Sequence, residues 1–352
     1  MGEAGPYPAE VRHRIRRDIQ ADYAYVAHAL NDCGVKVVCV QSGRGIWGGE
    51  DGAYILDFAR ALRVPMVTTF HDVPAGPTPA QRAILAELVD LSAAAIVMSQ
   101  SAAAEMARSY GVPVDRLEIV PHGVPHLPQV AADTIKPRLG LQGRSVILSF
   151  GLLEPGKGCE AVIEAMPAVI AAVPTACYVI VGATDPNRLA LDGDTYRAGL
   201  EAQVAEHGLG GHVRFVDRFV GRVELGNWLE AADVITTPYS NLDQTVSSTL
   251  SFAMAAGKAI VSTPYAYAVE MLSPDRGRLV PAGSPEALAR EFIELLGDPE
   301  LRAAMGRRAY ERSRGMVWWE VGSQYRRIFD RAIEGPAMTA RPPFRNLAAV
   351  VA

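Results

Sequence analysis

Hydrophobic positions along this chain fall into short unbroken runs separated by stretches with helical spacing. Four runs lie in the first half, at Val35–Val40, Pro65–Phe70, Ala95–Ser99 and Arg116–Val120. Six follow, at Ser145–Phe150, Ala176–Val181, Val213–Val216, Val234–Thr236, Ala259–Ser262 and Arg278–Val280. Continuous apolar runs of this length predict parallel strands buried on both faces. Between them the period changes. In Ala161–Val173, apolar residues recur at 162, 166, 169, 170 and 173, one face of a helix. Ser284 before Pro285 and Asp298 before Pro299 each predict a capped helix start. Val11–Leu30 reads as an amphipathic helix with basic residues early.

This alternation predicts an α/β chain of two doubly wound parallel sheets. The stretch "HLPQVAADTIKPRLGLQGR" has no periodicity and is rich in Pro and Gly, which puts a domain boundary near residue 140. The expected organisation is an N-terminal domain over 1–140, a second domain over 141–316, a C-terminal helix over 317–335 and a tail over 336–352. Four strands are few for the first domain. A four-stranded N-terminal sheet is expected, with an exposed edge or a contact between subunits there.

Composition narrows the function classes. The chain has 352 residues and a formal net charge of −5, which disfavours a broad nucleic-acid surface. Cys33, Cys39, Cys159 and Cys177 show no metal or redox spacing and suit a reducing, cytoplasmic setting. No apolar run approaches the roughly 20 residues of a membrane helix. The basic first helix leaves a peripheral contact with the inner membrane face open, a solvated helix face being the simpler reading.

Chemistry concentrates in "SFGLLEPGKG", residues 149–158. Gly151, Gly156, Lys157 and Gly158 have the spacing of a P-loop, but Gly158 stands where a nucleotide triphosphatase places its metal-binding hydroxyl. The loop lies between a predicted strand and a predicted helix. It therefore offers amides and a lysine to a phosphate without a metal. "QTVSST", Gln244–Thr249, is a second candidate, since small hydroxyl residues at a helix start leave amides and hydroxyls for a phosphate or sugar. "GIWGGEDG", Gly45–Gly52, is a flexible turn in which Trp47 is placed to stack on a sugar ring or to pack, and Glu50 or Asp51 to take hydroxyls. "DGD" at 192–194 mimics a metal motif, but Asp194 reads better as a cap or loop acid. No metal site is expected.

The stretches "SFGLLEPGKGCEAVIEAM", "YVIVGATDP", "VRFVDRFV", "LEAADVITTPYS" and "TLSFAMAAGKAIVSTPYAYAVEML" together resemble, in order and spacing, the C-terminal domain of retaining glycosyltransferases of family 4. "VPMVTTFHDV", "AAAIVMSQSA" and "RLEIVPHGV" resemble the second half of that family's N-terminal domain. The resemblance implies the GT-B architecture, two Rossmann-like domains facing a cleft, with the last helix around Trp318–Ile333 crossing back to the first. It also implies a nucleotide-sugar donor such as GDP-mannose or UDP-glucose, a carbohydrate acceptor, retention of configuration and no bound metal or cofactor.

By the same resemblance Lys157 matches the diphosphate-binding lysine, with Leu152 where an arginine often precedes it. His71 matches a histidine facing the donor sugar. Gly182 and Arg218 fall among the donor-binding positions with Gly151, Gly156, Gly158, Thr245, Ser247, Ser248 and Thr249. Glu270 matches a glutamate near the donor ribose or phosphate, and Tyr265 and Tyr267 either line the sugar pocket or pack. The family's two glutamates, seven residues apart, are replaced by Gln244 and Phe252. A bacterial subgroup with a similar stretch shares the replacement. Gln244 keeps hydrogen bonding without charge, whereas Phe252 has no polar atom for a ribose. His71, Lys157 and Gln244 are the candidate catalytic residues.

Family members begin with one more strand and a glycine-rich loop. That leaves room for a homo-oligomer or a partner chain completing the N-terminal sheet. Two other functions stay open: glycoside phosphorolysis with inorganic phosphate at Lys157, and a sugar-binding or partner protein of reduced activity.

Overall fold

The computed structural model describes residues 7–127 and 131–335. The 336–352 tail lies outside the described residues. The strands are β1 (Val38–Ser42), β2 (Met66–Phe70), β3 (Ala94–Val97), β4 (Leu117–Ile119), β5 (Ser145–Phe150), β6 (Ala176–Val181), β7 (Val213–Val216), β8 (Val234–Thr237), β9 (Ala259–Ser262) and β10 (Arg278–Leu279). Each falls on one of the apolar runs, and every pairing is parallel. The chain divides into two compact units, one of residues 7–121 with 322–335, the other of residues 122–321.

The first unit holds a four-stranded sheet in the order β1-β2-β3-β4, as expected. Each strand lies beside the next, so successive right-handed crossovers lay their helices on one face. Helices Ile55–Ala61, Pro79–Asp90 and Gln100–Glu105 share a core there with Met66, Phe70, Ala95 and Val97. Thr69 and Glu118 meet the C-terminal part of helix Trp318–Glu334 instead: the Tyr325 hydroxyl lies 2.9 Å from that of Thr69, and Arg331 donates to Glu118 at 2.6 Å. Ile328 of the same helix is buried. Strand β1 forms one edge, where Cys39 and Gln41 are exposed.

The first helix is shorter than the pattern predicts, Gln20–Asp32. The Asp22 carboxylate accepts the Arg16 amide at 2.9 Å and its guanidinium at 2.8 Å, which folds the preceding residues back over the helix start.

The second unit holds a six-stranded sheet in the order β10-β9-β8-β5-β6-β7. Numbered within the unit and read from β7, this is 3-2-1-4-5-6, the dinucleotide-fold order whose direction reverses between its first and fourth strands. Here those are β5 and β8. Helices cover both faces, Cys159–Ala172 and Pro285–Gly297 on one, Arg222–Ala231 and Ser248–Ala255 on the other. The central strands are therefore apolar throughout rather than alternating. Both predicted caps form, Ser284 accepting from the Ala287 amide and Asp298 from the Leu301 amide. The stretch after His126 is less irregular than expected. It carries short helical turns at Ala132–Ile135 and Lys136–Leu139, and buried Lys136 pairs with Asp233 at 2.8 Å. Among the described residues no helix is long and apolar enough to cross a membrane.

Candidate active site

The reversal between β5 and β8 places two loops side by side at the strands' carboxyl ends, where such sheets take ligands. Strand β5 delivers Gly151–Gly158 and β8 delivers Pro238–Ser240. The Ser240 amide donates to the Gly156 carbonyl at 3.0 Å. Gly158 occupies the cap position of helix Cys159–Ala172 at φ 73°, and a Cβ there would stand 1.9 Å from the Pro238 carbonyl oxygen. Only glycine meets both conditions. Because the cap residue has no side chain, it takes up none of the first amides of this helix itself.

The opposite wall is Gly182, after β6. Its φ is 150°, and a Cβ would stand 1.8 Å from the Gly151 carbonyl oxygen. The Gly151 amide donates to Val181 and the Gly182 amide to Val216, at 3.0 and 3.1 Å, so neither backbone has room to retreat. Behind Gly182 sits Arg197, 3% exposed, which donates to the Gly182 carbonyl at 3.0 Å and pairs with Asp217 at 2.7 Å and Asp194 at 3.2 Å. Asp194 also accepts from Thr184. Among the described residues no cluster of His, Cys, Asp or Glu could hold a metal ion.

The "QTVSST" run completes this wall. Ser247 caps helix Ser248–Ala255 by accepting from the Leu250 amide at 3.1 Å. The first turn then retains the Ser248 and Thr249 amides for an outside acceptor. The Thr249 hydroxyl reaches the Phe150 carbonyl at 3.5 Å and lies the same distance from a Cβ built on Gly151. Two helix starts thus approach one glycine-lined strand end, a geometry suited to a diphosphate.

Lys157 supplies the point charge. Its ammonium lies 3.2 Å from Glu154 and 4.9 Å over the Tyr239 ring, which stacks on buried Tyr265 at 5.1 Å. Tyr265 in turn donates to Thr237 at 3.2 Å. This column holds the lysine stem while the head stays partly exposed. Glu154 occupies the ammonium in the absence of another anion. Glu154→Gln is therefore expected to tighten nucleoside-diphosphate binding about two- to fivefold, the scale of a lost surface pair. Titration calorimetry checks this, and weaker binding would mean that Glu154 positions the lysine.

Other candidates are placed differently. The Gln244 side-chain amide donates to the Val246 carbonyl at 2.8 Å, and its backbone carbonyl accepts from the Tyr267 amide at 3.1 Å, so it shapes the loop before the helix. Thr245 is buried. Arg218 forms a two-pronged pair with Glu224, which lowers the Glu224 pKa. Glu270 is half-buried on helix Ala266–Leu272. Tyr265 and Tyr267 are fully buried and pack, Tyr267 bonding Ser251 at 2.8 Å. Phe252 lies against the core, its ring 6.1 Å from His122.

His71 belongs to the first unit and directly follows β2. Its amide donates to the Ser42 carbonyl at 2.7 Å, and its Nε2 lies 2.6 Å from the Gln41 side-chain oxygen. Facing that oxygen, Nε2 carries the proton and Nδ1 is the acceptor. Burial lowers the His71 pKa, opposed by Asp72. Trp47 packs edge-on against Tyr23 at 6.3 Å. Sequence reading did not single out Gln41, Tyr239 or Arg197. Tyr239 alone left a signal, as the tyrosine of "TTPYS" just beyond a strand.

Residues 132–312 match the family model for glycosyl transferases group 1, and residues 6–126 match that for glycosyltransferase family 4. The phosphatidyl-myo-inositol mannosyltransferase of Mycolicibacterium smegmatis is 30% identical over 190 residues, 54% of this chain and 45% of that protein. The chain thus spans under half of that relative's length. The D-inositol 3-phosphate glycosyltransferase of Corynebacterium efficiens is 24% identical over 347 residues, 94% of this chain and 79% of that protein. Among solved structures, Anabaena HepE in complex with UDP aligns with a TM-score of 0.73 at 17% identity, covering 88% of this chain and 82% of that one. Sucrose-phosphate synthase of Thermosynechococcus elongatus aligns at 0.72 and 20%, covering 88% and 78%. The fold is GT-B.

Proposed function

The chain belongs to the glycosyl transferases group 1 family, and on that premise we propose that it is a retaining hexosyltransferase. It moves a hexose from a nucleotide-sugar donor, GDP-mannose or UDP-glucose being the first to try, to a hydroxyl of a carbohydrate or related acceptor. The observation that carries this reading is the convergence of the Gly151–Gly158 loop, Gly182 and the Ser247–Thr249 helix start at the reversal of the six-stranded sheet.

In this reading Lys157 and the amides of the two helix starts bind the diphosphate and stabilise the charge that grows on it as the glycosidic bond breaks. The hydroxyls of Ser248 and Thr249 add hydrogen bonds, and Gln244 and Thr245 hold their loop. Gly151, Gly156, Gly158 and Gly182 let backbone approach the phosphates. Arg218 and Glu270 complete the proposed donor-side set. The acceptor hydroxyl attacks on the face the diphosphate leaves and passes its proton to a phosphate oxygen. The neutral His71 imidazole hydrogen-bonds a hydroxyl of the transferred sugar.

A screen of nucleotide sugars with NMR of the product tests this, since it reports transfer, sugar and anomeric configuration together. An inverted product, or thermal stabilisation by phosphate but by no nucleoside diphosphate, would overturn the proposal.

The role of His71 carries a pH signature. Burial depresses its pKa below the ordinary 6.5, so protonation is postponed to lower pH and the neutral ring persists through neutrality. The kcat/KM profile is expected to stay flat as pH falls to that value and to drop below it. His71→Asn should lower the plateau and remove the drop. An unchanged acid limb in that variant would assign it to another group.

A further inference from the structure

The second unit has a cavity of about 270 Å³ at the end of its sheet opposite the glycine–lysine loop. Its lining comes from the amino ends of three strands: Arg144 stands just before β5, Cys177 lies near the start of β6, and Arg214 near the start of β7. Gly210 and Gly211 close one side. The length of β5 puts this cavity roughly 15–20 Å from Gly151.

Three features specify the ligand. The first is unbalanced charge. Two arginines line the cavity and no carboxylate does. Among the described residues neither of them is ion-paired, so two like charges share one cavity with no counter-charge between them. The second is preorganisation. Nη2 of Arg144 donates to the Ala176 carbonyl at 3.1 Å and to the Gly211 carbonyl at 2.7 Å. Nη1 of Arg214 donates to the Leu139 carbonyl at 2.6 Å, and its guanidinium lies 5.4 Å over the Trp228 ring. Each guanidinium is thus fixed through one amino group and keeps the other without a protein acceptor among the described residues. Arg144 is half-buried and Arg214 exposed, so neither is sealed off. The third is the glycine wall. A Cβ on Gly210 or Gly211 would meet nothing within 4 Å, and neither amide donates to a backbone carbonyl among the described residues. Open amides beside two fixed guanidinium groups suit the several oxygens of one tetrahedral anion.

We propose that this cavity is a second anion site, separate from the diphosphate loop, and takes inorganic phosphate or a small phosphomonoester. Nη1 of Arg144, Nη2 of Arg214 and the Gly210 and Gly211 amides donate to its oxygens. The volume falls below the roughly 300–1,000 Å³ of pockets for drug-sized ligands, which excludes a whole nucleotide. The proposal does not rest on the transferase reading.

The test is titration calorimetry and phosphorus NMR at constant ionic strength, made on the full chain carrying Lys157→Ala so that the loop lysine contributes nothing. Inorganic phosphate is expected to bind saturably at one site per chain, and chloride at equal ionic strength to show no saturable binding. Arg214→Gln should weaken phosphate at least tenfold and Arg144→Gln likewise, with circular dichroism verifying each fold. Arg144 also ties two backbone segments, so if Arg144→Gln fails to fold, Arg214→Gln decides. Arg214→Lys should recover binding only in part, since it replaces a fork by a point charge. Glycerol 3-phosphate binding tighter than phosphate assigns a phosphomonoester, and the reverse order assigns the free ion. Absence of saturable binding, or indifference to Arg214→Gln, would overturn the proposal. Phosphate binding that is present in the parent chain and lost in Lys157→Ala would place the anion on the diphosphate loop and overturn it equally.

Discussion

Lys157→Ala is expected to lower kcat/KM for the nucleotide-sugar donor by about a hundredfold to a thousandfold, the usual cost of removing one preorganised charge from a developing anion. The loss should fall more on kcat than on KM, because the leaving diphosphate carries more negative charge in the transition state than in the bound donor. Tyr239 and Tyr265 pack independently of the ammonium, so the fold should survive. Lys157→Arg should recover only part of the activity, since its longer side chain ends in a planar fork instead of a compact point charge. Steady-state kinetics with varied donor checks this, and a variant with unchanged kcat would remove Lys157 from the leaving-group site.

Gly182→Ala is the change expected to cost most stability for least added mass. A methyl at φ 150° enters a region reserved for glycine, at about 1–3 kcal/mol, and meets the Gly151 oxygen at 1.8 Å. Overpacking against a bonded backbone adds a similar amount, for a total of about 2–6 kcal/mol. Relief requires the loop after β5 to shift at Gly151, which neighbours Thr249, so donor affinity should fall together with stability. Urea unfolding and calorimetry on the same sample check both. A stable variant with weak donor binding would still place Gly151 in the site; a stable variant with normal binding would not.

The fold was legible because both faces of most strands are buried. Strands such as β6, buried along its whole length, leave an uninterrupted apolar run that no helix period imitates. The glycine–lysine loop was legible for a related reason, since its residues are consecutive and their conformations local. What stayed hidden was pairing across the fold. Nothing near Arg197 in the sequence indicates that its charge is balanced by Asp217 while it bonds the Gly182 carbonyl. Gln41 and His71 lie 30 residues apart and meet only because β1 and β2 are neighbours in register. The basic stretch before Gln20 misled for the opposite reason. Its period suits a helix, but the Asp22 carboxylate accepts the Arg16 amide and guanidinium, which holds the preceding residues folded back outside the helix.

The crossover helices of the four-stranded sheet cover one face, and the other waits for the C-terminal helix, which sets the order of folding. Tyr325 and Thr69 are 256 residues apart in sequence, and the whole second unit is encoded between them. A growing chain therefore completes β1–β4 and their three helices long before the helix that meets Thr69 and Glu118 exists. Contacts of such long range form late and slowly. Until then that sheet face is open to water or to other chains, so the first unit is the place where a nascent or truncated molecule is most prone to aggregate.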